Sequence, residues 1–187
     1  MAQGEAYRVR LSHVRLKVRD MDRAISFYTR LLRMRLVERV GDEFAFLSGS
    51  DVYHEVALQR VGPSAPTPSA EATGVDHVAF ELADGPDLAG AYEALLEVGI
   101  IPRMVDNGIS WAMYFSDGDG NQLEFFCDRR KRPGGRKQWG GRSEELTPTT
   151  LLKELQENPV SRRRQGQKED HIKKTSGTGR SRKSRKH

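Results

Sequence analysis

The sequence repeats itself. At an offset of 64 residues, Ser12-His13-Val14 aligns with Asp76-His77-Val78, Asp20 with Asp84, Tyr28 with Tyr92, and Leu31-Leu32 with Leu95-Leu96. A chain carrying one spacing twice builds one supersecondary unit twice, and the two units must then bury their apolar faces in the same way. This restricts the fold more than any compositional value does.

Each copy reads as a strand, a helix, and further strands. In the first, Val14, Leu16 and Val18 share one strand face, and His13, Arg15 and Lys17 share the other. Asp20 is a good N-cap for a helix whose apolar stripe is Met21, Ile25, Tyr28 and Leu32. Strands are expected at Phe44–Leu47 and Val52–Val61, with a Gly49 turn between them. In the second copy Val78, Phe80 and Leu82 oppose His77, Ala79 and Glu81, and residues 88–98 read as a helix ending at Gly99. Strands are expected at Ile109–Phe115 and Gln122–Cys127, joined by Asp117-Gly118-Asp119-Gly120-Asn121. The linker beginning Gly62-Pro63-Ser64 is Pro-rich, as suits a joint between modules.

Charge divides the chain at Asp128. Residues 129–187 carry 19 Lys+Arg against 6 Asp+Glu, a net of +13, whereas residues 1–128 carry 12 against 20, a net of −8. The part able to fold is acidic, so the overall +5 does not describe a basic nucleic-acid-binding domain. The expected organisation is α+β: a domain over 1–128 with modules at about 8–62 and 74–128. A basic, largely disordered tail over 129–187 follows, with one short helix near 148–157, capped by Thr147 and led by Pro148. Beyond Pro159 apolar residues are too few to offset ordering entropy. The tail is read as a solvated extension; nucleic acid is expected to touch the protein through it or not at all. No stretch is apolar enough for a membrane span, the first residues lack an apolar leader core, and the lone Cys127 cannot form an internal disulfide. These features point to a cytoplasmic protein.

Chemistry concentrates on few residues. Residues 1–128 hold three histidines, His13, His54 and His77, of which the first and last occupy equivalent places at the start of each module's first strand. Glu124 lies within the apolar strand Gln122-Leu123-Glu124-Phe125-Phe126, where a carboxylate is costly unless paired or bound to a metal. Two histidines and a carboxylate that leave open positions form the ligand set of non-haem Fe(II) sites. On the residues alone, histidines that merely begin strands account for His13 and His77 equally well.

The segments Ser12-His13-Val14, Phe27-Tyr28 with Leu31-Leu32, Asp76-His77-Val78-Ala79-Phe80, and Tyr114 to Glu124 resemble the vicinal oxygen chelate superfamily. That superfamily includes glyoxalase I, fosfomycin and bleomycin resistance proteins, and type I extradiol ring-cleaving dioxygenases. Tyr114 to Glu124 is similar to its YF-x-D-P-D-G-N-x-x-E pattern, with Gly118 in place of proline, a change expected to loosen the turn. The resemblance implies two paired βαβββ modules around a metal-containing cleft, with His13, His77 and Glu124 as the ligands. His54-Glu55-Val56-Ala57-Leu58 looks like the H-x-x-A-L strand of extradiol dioxygenases, which makes His54 the acid/base and Tyr114 the residue that holds substrate.

The resemblance thus implies an Fe(II)-dependent extradiol dioxygenase inserting O2 into a small aromatic diol, with Mn(II) as the second choice of metal. The alternatives are a glyoxalase-like isomerase or transferase with Ni(II) or Zn(II), which would need a carboxylate such as Glu55, and a non-catalytic ligand-binding module of the resistance type. Strand alternation sets Glu55 against His54, and His54 is expected to face inward. Asn107 stands where many relatives carry His; with Ser110, Trp111 and Met113 it is named as lining by proximity to Tyr114. Two modules can close the site within one chain or between chains, so a homo-oligomer fits the reading.

Overall fold

The computed structural model describes residues 9–157. Both copies of the repeat fold to the same plan. In the first, β1 (Val14–Val18) leads into α1 (Met21–Arg30), followed by β2 (Arg35–Val40), β3 (Phe44–Ser48) and β4 (Val56–Arg60). The sheet order is β1-β4-β3-β2, with β1 parallel to β4 and the other pairs antiparallel. In the second, β5 (Val78–Leu82), α2 (Gly85–Glu97), β6 (Arg103–Asp106), β7 (Ser110–Ser116) and β8 (Gln122–Asp128) give the order β5-β8-β7-β6, with β5 parallel to β8. The parallel pairs follow from the helical crossovers that α1 and α2 provide.

The helices start where the repeat places them. Asp20 and Asp84 both adopt extended backbone and accept hydrogen bonds from the amides of Arg23 and Asp87. Each such cap contributes about 1 kcal/mol. Pro86 sits in the first turn of α2, which begins at Gly85 rather than at Leu88. The strand expected from Val52 begins only at Val56, because the Glu55 carboxylate holds the preceding loop. It accepts from the Gly49 amide at 2.7 Å and the Ser50 hydroxyl at 2.9 Å. Two strands carry no clear sequence signal: β2 is exposed at five of its six positions, and β6 has four residues.

A single core runs through both modules and includes Tyr28, Leu47, Leu58, Leu95, Met113 and Leu123. A buried polar clasp joins the modules at the β7–β8 turn. The Tyr28 hydroxyl donates to Asp117 at 3.0 Å, and the Arg19 and Arg23 guanidiniums pair with Asp119 at 3.3 and 2.6 Å. Asn121 donates to the Lys17 carbonyl at 3.1 Å. Asp117 also accepts from the amides of Asp119 and Asn121, so the turn is tightly held without proline. A side chain at Gly118 would begin 3.2 Å from the Arg23 Nε, and that near contact takes the room the usual ring fills.

Packing continues past Asp128. The two-residue strand β9 (Glu144–Glu145) extends the second sheet beyond β6, and α3 (Pro148–Glu157) lies on α2. Leu146 and Leu151 are buried in the common core. Arg129 stacks over the Trp111 ring at 3.9 Å and pairs with Glu154 of α3 at 3.1 Å. The segment expected to be disordered beyond Pro159 lies outside the described residues. Among the described residues, no helix is long and apolar enough to cross a membrane.

Candidate active site

The second module brings three of the five candidate residues together. His77 immediately precedes β5, Tyr114 is on β7 and Glu124 on β8. The register pairs Ala79 with Glu124 and Tyr114 with Glu124, so side chains of one pleat face share a surface turned away from α2. Glu124 is 8% exposed, and its carboxylate lies 3.0 Å from His77 Nε2. His77 Nδ1 contacts the Asp76 carboxylate at 2.6 Å.

Ligating histidines are commonly held in this way. A carboxylate on Nδ1 fixes the ring and directs Nε2 toward the ligand position. Two cis ligands at about 2.1 Å from one metal stand about 3 Å apart, so the His77–Glu124 spacing suits a shared ion. The Tyr114 ring stands edge-on to His77, with centroids 5.4 Å apart. Burial pushes the Tyr114 phenol up, and its hydrogen bond to Glu124 adds to this; a hydrogen bond from Asn107 and the charge of Arg103 pull it down. Arg103 lies over the Tyr114 ring at 4.5 Å.

The other two candidates form a second group, on the first module. His13 precedes β1, His54 precedes β4, and the parallel register of Val14 with Val56 sets them side by side. Their ring centroids are 4.5 Å apart. Phe46 and Tyr53 each approach His54 to 5.0 Å. Burial, then the neighbouring His13 and Arg15, hold the His54 imidazole below its ordinary value, in the neutral form at pH 7. The Glu55 carboxylate is engaged by the 48–52 loop.

Within one chain the two groups remain apart. Among the described residues, no three His, Cys, Asp or Glu side chains converge as a metal site. A groove of about 1130 Å³ runs from the start of β1 and β4 to the open edge of β5 and the face of α2. His13, His54 and Glu55 line it, whereas His77, Tyr114 and Glu124 do not.

Trp111 and Met113 are not lining residues. They alternate with Ala112 and Tyr114 along β7, so the pleat directs them into the core, where both are buried. Asn107 does border the site, and two neighbours there had no obvious signal: Arg103 on a short strand, and Trp139 in a glycine-rich basic stretch. Asp76 beside His77 was legible in principle, since an adjacent carboxylate is a common partner for a ligating histidine.

Paired βαβββ modules with histidines at both first strands and a buried glutamate on the last define a class of metal-using proteins built on a common cup. The chain belongs to the glyoxalase/bleomycin resistance protein/dioxygenase superfamily, whose model matches residues 10–125. It is 30% identical over 131 residues to a catechol-2,3-dioxygenase of Bacillus subtilis, covering 70% of this chain and 45% of that protein. It is 29% identical over 126 residues to biphenyl-2,3-diol 1,2-dioxygenase 3 of Rhodococcus globerulus, covering 66% of each. The chain thus spans less than two thirds of the length of these relatives. Among solved structures, a glyoxylase/bleomycin resistance protein/dioxygenase domain from Frankia sp. EAN1pec superposes with a TM-score of 0.55 at 26% identity, over 66% of this chain and 100% of that one. A fosfomycin resistance protein from Listeria monocytogenes shares the fold, with a TM-score of 0.52 at 17% identity over 65% of this chain and 94% of that one.

Proposed function

We propose that the protein is a ring-cleaving dioxygenase that joins O2 to an aromatic diol of the catechol type at an Fe(II) centre. The observation that carries this reading is the His77–Glu124 pair at 3.0 Å with Tyr114 beside it. The two relatives named for catechol and biphenyl-diol oxygenation support the same choice. The Glu55 carboxylate, which a glyoxalase-type reading needs, borders the groove but is already engaged by Gly49 and Ser50, which favours the dioxygenase reading.

His77, Glu124 and His13 would hold the metal, and iron held by them would supply the redox chemistry that couples diol and dioxygen. Tyr114, on the same face as Glu124, hydrogen-bonds one diol oxygen and fixes the ring's orientation. Arg103 keeps positive charge beside that phenol. His54, next to His13, takes the proton released when the diol binds and returns it as the ring opens. Glu124 is itself largely shielded from water.

This reading requires the two residue groups to meet, and two copies of the chain accomplish that. β1 and β5 each have one edge without a neighbouring strand among the described residues. Both carry half-buried apolar side chains: Val14 and Leu16 on β1, Val78, Phe80 and Leu82 on β5. The first module of one copy, set against the second module of another, brings His13 and His54 to His77, Glu124 and Tyr114.

The test is anaerobic purification, iron analysis, and then O2 uptake with a panel of catechols while the ring-opened product is followed by its absorbance. Stoichiometric O2 uptake with product formation is expected. Iron-loaded protein that consumes no O2 with any diol sinks the proposal.

A further inference from the structure

The family domain ends at residue 125, yet the chain returns to the site after it. The Arg129 amide donates to the Ile109 carbonyl at 2.8 Å. Two turns follow, in which the amides of Arg132 and Gly135 donate to the carbonyls of Arg129 and Arg132. The Arg136 amide then donates to the Gly108 carbonyl at 2.8 Å. Gly108 has a φ of 74°, which favours glycine, and the Arg136 side chain lies directly against it.

The strap delivers Trp139 beside Tyr114. Together with Asn107 and Ile109 these two rings border a recess of about 200 Å³. The indole N–H donates to the Ser143 hydroxyl at 3.2 Å, and Ser143 donates to the Asn107 carbonyl oxygen at 2.6 Å. That second bond fixes which way the Asn107 amide faces, leaving its N–H groups for Ser110 and Tyr114. Trp139 is nonetheless half exposed, a large flat apolar surface anchored at its polar end and bare on its face.

We propose that Trp139 is the specificity wall of the site, stacking on the distal part of an aromatic diol that carries an aryl or similarly flat apolar substituent. The proposal rests on the diol-cleaving reading above. The recess is open rather than enclosed, and the Tyr114 and Trp139 rings at its border offer a flat substituent a stacking face. Tyr114 grips the diol end and Trp139 covers the substituent, so the strap selects by size and flatness while the family domain supplies the chemistry.

Anaerobic calorimetric titration of the iron-loaded full chain with catechol and with 3-phenylcatechol tests this, in wild type, Trp139→Ala and Trp139→Phe. Trp139→Ala should weaken 3-phenylcatechol at least about tenfold and catechol less than about threefold, with Trp139→Phe recovering most of the difference, as expected for a stacking contact. Equal loss for both diols, or loss for neither, with wild type binding both, overturns the wall and leaves the dioxygenase reading standing. Wild type that binds neither diol overturns both.

Discussion

The two groups of candidate residues predict different phenotypes when altered. Glu124→Ala and His77→Ala should each lower iron retention at least about tenfold, because in the proposed centre each supplies one ligand of the pair. His54→Ala should leave iron in place and reduce kcat by on the order of 10² to 10⁴, the usual share of a general acid/base. Iron analysis beside steady-state kinetics separates the two; metal lost from the His54 variant would make it a ligand instead. Cys127 offers an independent check on the core. Burial pushes its thiol up to about 11, from an ordinary value near 9. At about pH 8 the folded protein should therefore alkylate about a hundredfold more slowly than the denatured chain, before access is counted. Comparable iodoacetamide rates in the two states would show that β8 does not bury it. The metal-type residues were legible because histidine and glutamate stand out on apolar strands. Trp111 and Met113 were misplaced because they were named by nearness to Tyr114, whereas the period of two along β7 sets them on the opposite face.

At the scale of elements, the repeat transmitted the helices and inner strands faithfully, since both follow from N-caps and apolar periods that local sequence carries. β2 was illegible because an edge strand such as Arg35–Val40 buries too little to impose alternation, and β6 because four residues are too few to show a period. The packing after Asp128 was hidden for a different reason. Its charge dominates the composition, while only a few residues, chiefly Leu146 and Leu151, anchor it. Leu151 is fully buried where α3 meets α2, so Leu151→Ala should cost about 2–5 kcal/mol. A fall of several degrees in the thermal midpoint is the expected reading; an unchanged midpoint would mean that α3 is not part of the folded unit. Tyr28→Phe tests the clasp in the same assay. Burial and Asp117 drive the phenol far above its usual range, so it stays a donor, and its loss leaves the buried Asp117 short of one partner at a cost of about 1–3 kcal/mol.

For the whole molecule, the proposed centre is shared between chains, and that makes a prediction no single-chain site can meet. His13→Ala and Glu124→Ala should each be inactive alone. In a mixed dimer both defects fall in one centre, leaving the other built entirely from native residues. Random mixing then restores up to about a quarter of wild-type activity, since half the dimers are mixed and each has one of two centres intact. No recovery after unfolding and refolding the two variants together would return the site to a single chain. The clasp at Asp117 and Asp119 gives this arrangement its consequence. By tying Arg19, Arg23, Tyr28 and Asn121 across the joint, it sets the angle between a chain's two half-sites once and for all. A rigid piece with two complementary ends closes with one partner when that fixed angle suits a two-fold axis, which is what the proposed centre requires. Loosening the joint, for example at Asp119, would let successive copies join end to end. A change far from any metal ligand would then show itself as a population of higher assemblies.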